Sequence, residues 1–405
     1  MAGRPPAGEP VPSDGALPAS ALEDVATRPL SLYLHVPYCA TRCGYCDFNT
    51  YTASELGDSV SRATWADSAM AEITFARQVL GDAAPAFDTV FVGGGTPTLL
   101  DAADLVRVLT HAREVFGLAS GAEITTEANP DAVTPAALAA LREGGFNRIS
   151  FGVQSTAESV LAVLDRTHRP GRALEAVREA QGAGFDNVNV DLIFGTPGET
   201  DADLERSLMD VLALGVQHVS AYALIVEEGT RLARRIARGE IPAPDDDVQA
   251  ARYERIDAAL EGAGLAWYEV SNWALPGREA RHNLAYWRGS NWWGAGPGAH
   301  SHVGGTRWWN ERHPATWTRA LAEGRSPAEA REIVSPEDRL VERIMLETRI
   351  REGLSVWMLE QPALDQLGRL VEHGLIEDPR ALGDRVVLTL RGRLLADVVV
   401  RALLP

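Results

Sequence analysis

Short β-branched runs and longer helical stretches alternate six times between residues 31 and 226, and this alternation narrows the choice of folds. Strands are predicted at SLYLHV (31–36), DTVFV (88–92), EITTE (123–127), RISF (148–151), NVNVDLIF (187–194) and HVSAYALIV (218–226). Helices are predicted between them, at 64–80, 102–116, 135–144, 156–165, 171–183 and 202–214. Repetition of this kind makes βαβ units with right-handed crossovers and a parallel sheet, which either closes partly into a barrel or stays open and doubly wound. Polar residues favour the barrel. Tyr33 and the loop after it, GGGTPT (93–98), Glu127, Gln154 and Asp191 all fall at or just beyond the C-terminal parts of successive strands. That is where barrel proteins assemble their sites. The expected class is α/β, a partial (β/α)6 TIM-like barrel followed by a small, mainly helical C-terminal domain.

The rest of the chain divides by composition. Residues 1–28 are rich in Pro, Ala, Gly and Ser and read as a disordered leader, and 29–265 hold the barrel. Residues 266–334 form a connecting region dense in Trp, His and Gly, and 335–405 read as amphipathic helices with a small hairpin or wing. The net charge of −18 repels phosphate backbones and anionic lipid, so nucleic acid is not an expected partner. No run approaches the ~18 apolar residues of a membrane span, and the N-terminus lacks the apolar core of a signal peptide. The expected compartment is the reducing cytoplasm.

Cys39, Cys43 and Cys46 are the only cysteines in 405 residues. An odd number of thiols in a reducing compartment does not suit disulfides. Three thiolates suit an inorganic centre. Zinc would need a fourth ligand, with His35 or Asp47 within reach, whereas a [4Fe–4S] cluster held by three thiolates leaves one iron open for another molecule.

The segment CATRCGYC, with C-x3-C-x2-C spacing and an aromatic residue before the last cysteine, resembles the radical S-adenosylmethionine (SAM) superfamily. The resemblance implies a [4Fe–4S] cluster on Cys39, Cys43 and Cys46, with SAM chelating the open iron. YLHVPYC, FVGGGTPT, TEANP, RISFGVQS, LDRTHRP and NVDLIFGTP follow in the order seen in oxygen-independent coproporphyrinogen dehydrogenases and their relatives. Carried over residue by residue, it implies that Gly94, Gly95 and Thr96 form the glycine motif beside SAM. It likewise implies that Tyr33, Glu127, Gln154, Arg166 and Asp191 contact SAM, with Tyr45 against the adenine or roofing the cluster.

Two functions compete within this group. The dehydrogenases carry a fourth cysteine, where this chain has Phe48. They also have a longer ordered N-terminal arm. The HemW-type haem chaperones instead keep three cysteines followed by Asp-Phe and carry an HNxxYW motif, which is similar to His282–Trp287 here. That branch implies haem as a third ligand, with His282 as its iron ligand and His300 and His302 as weaker candidates. Aromatic rings would cover the porphyrin, and Arg281 and Arg288 would meet its propionates. A haem-acceptor protein and an electron donor are the implied partners.

Overall fold

The computed structural model describes residues 8–56, 62–169 and 171–404. Six strands pair in parallel and in chain order: β1 (Leu30–Val36), β2 (Phe87–Gly94), β3 (Leu118–Ala128), β4 (Arg148–Gln154), β5 (Val188–Phe194) and β6 (His218–Ala223). Helices cross between them, and three begin on capping side chains. Asp101 accepts from the Ala103 N–H, Thr134 from Ala137, and Thr200 from Asp203 in a reciprocal capping box. One face of these strands, with Leu32, Val90, Ile149, Phe151 and Val190, is fully buried against the helices. The opposite residues of all six strands line a single cavity, among them Tyr33, Phe91, Glu127, Ser150, Asp191 and Ser220. A flat sheet cannot aim six strands at one space, so this sheet curls into the expected partial barrel.

Residues 266–334 are not a separate connector. They supply β7 (Ala266–Glu269) and β8 (Asn272–Ala274) beyond β6, and β9 (Asn291–Ala295), β10 (His300–Val303), β11 (Thr306–Asn310) and β12 (Ala328–Ile333) beyond β1. The result is one twelve-stranded sheet in the order β12-β11-β10-β9-β1-β2-β3-β4-β5-β6-β8-β7. Most tryptophans of this region pack its core, while Trp287 and Trp292 are only partly buried. Trp273, Trp293, Trp308 and Trp309 are all buried.

The expectation of a disordered leader also needs correcting. Residues 1–7 lie outside the described residues, but Ala19–Val25 is a helix whose Ala21 and Val25 are fully buried. Spaced four apart, they share one helix face. Glu9 bridges to Arg331 through the backbone and by an ion pair at 2.7 Å, and Asp24 accepts from Asn291 at 2.9 Å. Burial and these polar anchors outweigh the loop-like composition.

The C-terminal residues build their own apolar cluster around Ile344, Leu354, Leu370, Val386 and Val399. The hairpin or wing expected within 385–404 does not form locally: Arg385–Val386 pairs with the distant Leu354–Ser355, and Leu390–Leu394 and Ala396–Leu403 are helices. The cluster is tied to the barrel through Asp257. This buried carboxylate accepts from Arg393 at 2.6 and 2.8 Å and from the Trp273 indole at 2.8 Å. Asp257→Ala strands a buried guanidinium and an indole N–H, so it should lower stability by about 3–5 kcal/mol in urea unfolding. A loss under about 1 kcal/mol would mean that the pair is solvated or replaceable.

Candidate radical SAM site

Residues 37–50, between β1 and Thr50, contain no helix or strand, and neighbouring loops hold them in place. The glycine motif after β2 donates twice, Gly95 N–H to the Val36 carbonyl and Thr96 N–H to the Tyr38 carbonyl, both at 2.8 Å. Cys39 N–H donates to Tyr51, Gly44 N–H to Leu164, and Leu232 N–H to Gly44. The His35 ring ties the loop from inside. Its Nε2 must donate to the Asn49 carbonyl (2.9 Å), so Nδ1 accepts from the Tyr33 hydroxyl (2.9 Å). Burial lowers the His35 pKa to about 4, so the ring is neutral at pH 7 and keeps this one tautomer.

The three thiols face the shared cavity of about 490 Å³ together with Gly94, Gly95 and Thr96. Among the described residues, no three His, Cys, Asp or Glu side chains close on a single metal ion. The arrangement therefore differs from a closed four-ligand zinc site. A Cβ added at Gly95 would lie 2.5 Å from the Tyr38 carbonyl oxygen and 3.0 Å from Cys39 Sγ. Only glycine leaves that space open. Arg166 donates to Cys43 Sγ at 3.4 Å and to the Gly152 carbonyl. Burial pushes the Cys39 thiol up and that of Cys46 up to about 11, so loading a metal centre must release protons.

All the other residues singled out as SAM contacts line this same cavity. Glu127 accepts from the Gly94 N–H at 3.0 Å, joining the third strand to the glycine motif. Burial, with Asp191 nearby, raises its pKa to about 8. Asp191 accepts from Ser150 (3.0 Å) and Asn189 (2.7 Å), and burial raises its pKa as well. Gln154 has φ +66°, a backbone conformation uncommon outside glycine, at a register shift in the β4–β5 pairing. The Tyr45 ring is partly buried in the wall, and burial raises its phenol pKa.

The HNLAYW segment is the helix Arg281–Trp287, beneath β2. Glu123 accepts the Arg281 and His282 N–H groups at its N-terminus, each at 3.0 Å. His282, expected as a haem ligand, lines the cavity with both ring nitrogens hydrogen-bonded. Thr89 donates to Ser31, so it accepts from His282 Nδ1 (2.6 Å), and Nε2 then accepts from Tyr286 (2.9 Å). The lone pair an iron would require is already occupied, in a ring only 1% exposed. Arg281 is paired with Asp88 at 2.6 Å and Arg288 with Glu352, both as exposed ion pairs. His302 bonds the Ser290 carbonyl at 3.0 Å, whereas His300 is exposed and stacked on Trp309.

Sequence reasoning missed part of the cavity wall. Arg148, Asn189, His218, Ser220 and Tyr222 all line it. Their signal was present as period-two alternation within β4, β5 and β6, where every second residue is polar or small.

Residues 33–211 match the radical SAM superfamily. Coproporphyrinogen III oxidase (HemN) from Escherichia coli shares the fold, with a TM-score of 0.78 at 23% identity over 95% of this chain and 92% of that one. Fold, cysteine loop and glycine motif define a radical SAM protein of the HemN-like group. Within it, a heme chaperone HemW from Mycobacterium tuberculosis is 52% identical over 377 residues, 93% of this chain and 95% of its own. Another, from Bacillus subtilis, is 34% identical over 92% of this chain and 99% of its own. This chain belongs to the HemW family. Membership brings a [4Fe–4S] cluster and SAM, which together supply one-electron chemistry at the sulfonium. The clustered thiols and the glycine cradle fit both.

Two outcomes follow from this geometry. Anaerobic reconstitution should load about four iron and four sulfide per chain. Gly95→Ala should lower that content severalfold, while Gly182→Ala, whose added Cβ meets nothing within 4 Å, should leave it unchanged. Equal loading in both variants would show that the cradle has room to spare. Glu127 supplies a pH test. With its pKa raised to about 8 from an unfolded value near 4.3, the native state binds the proton more tightly than the unfolded chain. Its contribution to stability is therefore full below about pH 4 and is lost as pH rises towards 8. Glu127→Gln should flatten the fall in thermal stability of the metal-free protein between pH 5 and 8. A parallel fall in both proteins would reassign the effect to another group.

Proposed function

We propose that the protein is a haem chaperone of the radical SAM class, which binds haem and passes it to an acceptor protein in the cytoplasm. The observation carrying this reading is the 52% identity to a heme chaperone HemW across nearly the whole of both chains. In this reading Cys39, Cys43 and Cys46 hold the cluster, and Arg166 faces the cluster edge through its bond to Cys43. Glu127 and the glycine motif receive the charged end of SAM, and Asp191 and Gln154 receive its sugar and base. Tyr33 and His35 fix the loop from below. An electron donor reduces the cluster.

Phe48 supports the chaperone over the dehydrogenase. It occupies the position of the fourth cysteine, is 59% exposed, and lines the cavity together with the exposed Tyr222 and Ile225. An apolar rim of this kind suits a macrocycle and supplies no thiol.

Haem titration of the reconstituted protein should produce a Soret band. An anaerobic mixture with SAM, reductant and coproporphyrinogen should yield no protoporphyrinogen. Accumulation of that product would replace the chaperone by the dehydrogenase. Since His282 is buried and doubly hydrogen-bonded, His282→Ala should leave the Soret position unchanged and reduce thermal stability. A shifted band would restore His282 as the iron ligand.

A further inference from the structure

We infer that Glu72 is a positioning residue for the cysteine loop, holding both ends of that loop from outside the cavity. It lies in the helix Trp65–Leu80 between β1 and β2, is fully buried, and does not line the cavity. Its carboxylate accepts three hydrogen bonds from neutral donors: the Gly296 N–H at 2.8 Å, the Asn310 amide at 2.7 Å and the Trp317 indole at 2.6 Å. Among the described residues no arginine forms an ion pair with it, and burial raises its pKa to about 7. Burying a carboxylate without a cation is costly. The three donors come from the turn after β9, from β11 and from the helix Pro314–Ala322, so one side chain joins four elements.

What these bonds hold is the turn Gly296–Ala299, closed by the Ala299 N–H on the Gly296 carbonyl. Asn310 donates to that same carbonyl at 3.0 Å. The turn is pressed against the two residues that bracket the cysteines. A Cβ added at Gly296 (φ +116°) would lie 2.4 Å from the His35 carbonyl oxygen, and one at Gly298 (φ +74°) 2.5 Å from the Asn49 amide nitrogen. Asn49 donates to the Pro297 carbonyl at 3.0 Å and to the Arg312 carbonyl at 2.9 Å. The helix that carries Glu72 also reaches His35 directly. Trp65, seven residues earlier and so on the same helix face, donates its indole N–H to the His35 carbonyl at 3.0 Å.

His35 and Asn49 are themselves hydrogen-bonded, and Cys39, Cys43 and Cys46 all lie between them. The glycine motif therefore grips the loop from the cavity side, and the Glu72 assembly clamps its two ends from the helix layer. Ligand sets of this kind work only when the groups behind them fix their positions to within about 0.5 Å. The β1–β6 ladder contains no bond to Glu72, so loosening this junction frees the loop ends before it opens the barrel. The inference rests on the cluster and SAM, not on the haem reading, and stands or falls separately from it.

The test uses the full-length protein, reconstituted anaerobically, with two measurements: the rate at which a ferrous chelator removes iron, and the change that SAM produces in the EPR signal of the reduced cluster. Glu72→Gln keeps an acceptor for Gly296 and Trp317 but turns an amide towards the Asn310 amide. It should quicken iron release about three- to tenfold. Glu72→Ala strands all three donors, so it should quicken release further and blur the EPR response to SAM. Asp257→Asn makes the same exchange at a buried junction that does not touch the loop. It should lower thermal stability while keeping wild-type iron release and EPR response. If the Ala protein does not fold, the Gln variant decides, since it retains two of the three bonds. Wild-type release in Glu72→Gln, or equal quickening in Asp257→Asn, overturns the inference and leaves Glu72 as a general stability residue.

Discussion

Two backbone hydrogen bonds, from Gly95 to Val36 and from Thr96 to Tyr38, hold the site together. The cysteine loop contains no helix or strand, so it has no ladder of its own to fix three sulfurs in space. Its conformation is borrowed from the second β/α unit through these bonds, and from the fourth and sixth through Leu164 and Leu232. Gly95 must approach Tyr38 too closely for any side chain, so the residue that shapes the cofactor cradle also anchors the ligand loop. Glu127 extends the linkage to the third strand through Gly94. Four β/α units thus share the work of preorganising one loop, which a single helix or hairpin could not do.

The interior of the barrel is polar because the groups satisfy one another. Ser150, Asn189, Asp191, Ser220 and His218 form a connected set of hydrogen bonds across three strands. Such a network tolerates burial only when every member is paired. Neutral histidines complete the pattern. His35, His218 and His282 are each buried, low in pKa and bonded at both nitrogens, so they set geometry rather than carry charge.

The six-unit barrel was legible because alternating strands and helices leave a long, redundant signal, and predicted helices such as 64–80 and 102–116 match the structure within a residue. The cysteines and the glycine motif were legible because their chemistry is local in sequence. The extension of the sheet by β7–β12 was not. Three of these connections, β7–β8, β9–β10 and β10–β11, are only two to four residues long, and the strands' Trp, Gly and Asn content reads as loop. The partners of Arg281, Arg288 and His282 were not legible for a different reason. Each side chain has a partner far along the chain, in Asp88, Glu352 and Thr89, and no local pattern announces such pairings.

The placement of the HNLAYW helix changes what the motif can mean. Glu123 receives its first N–H groups, and His282 and Tyr286 join it to Thr89, so the helix is bolted under the barrel by hydrogen bonds rather than held out towards solvent. His282 stacks on Phe91 at 5.2 Å, and Phe91 on Tyr33 at 6.3 Å, a contiguous path from the motif to the base of the cysteine loop. Tyr33 in turn fixes the His35 tautomer that holds Asn49. A motif built in this way braces the floor of the cavity beneath the cluster loop. Its residues influence a ligand by shaping and closing that floor, and direct coordination would first require the Tyr286 bond to break.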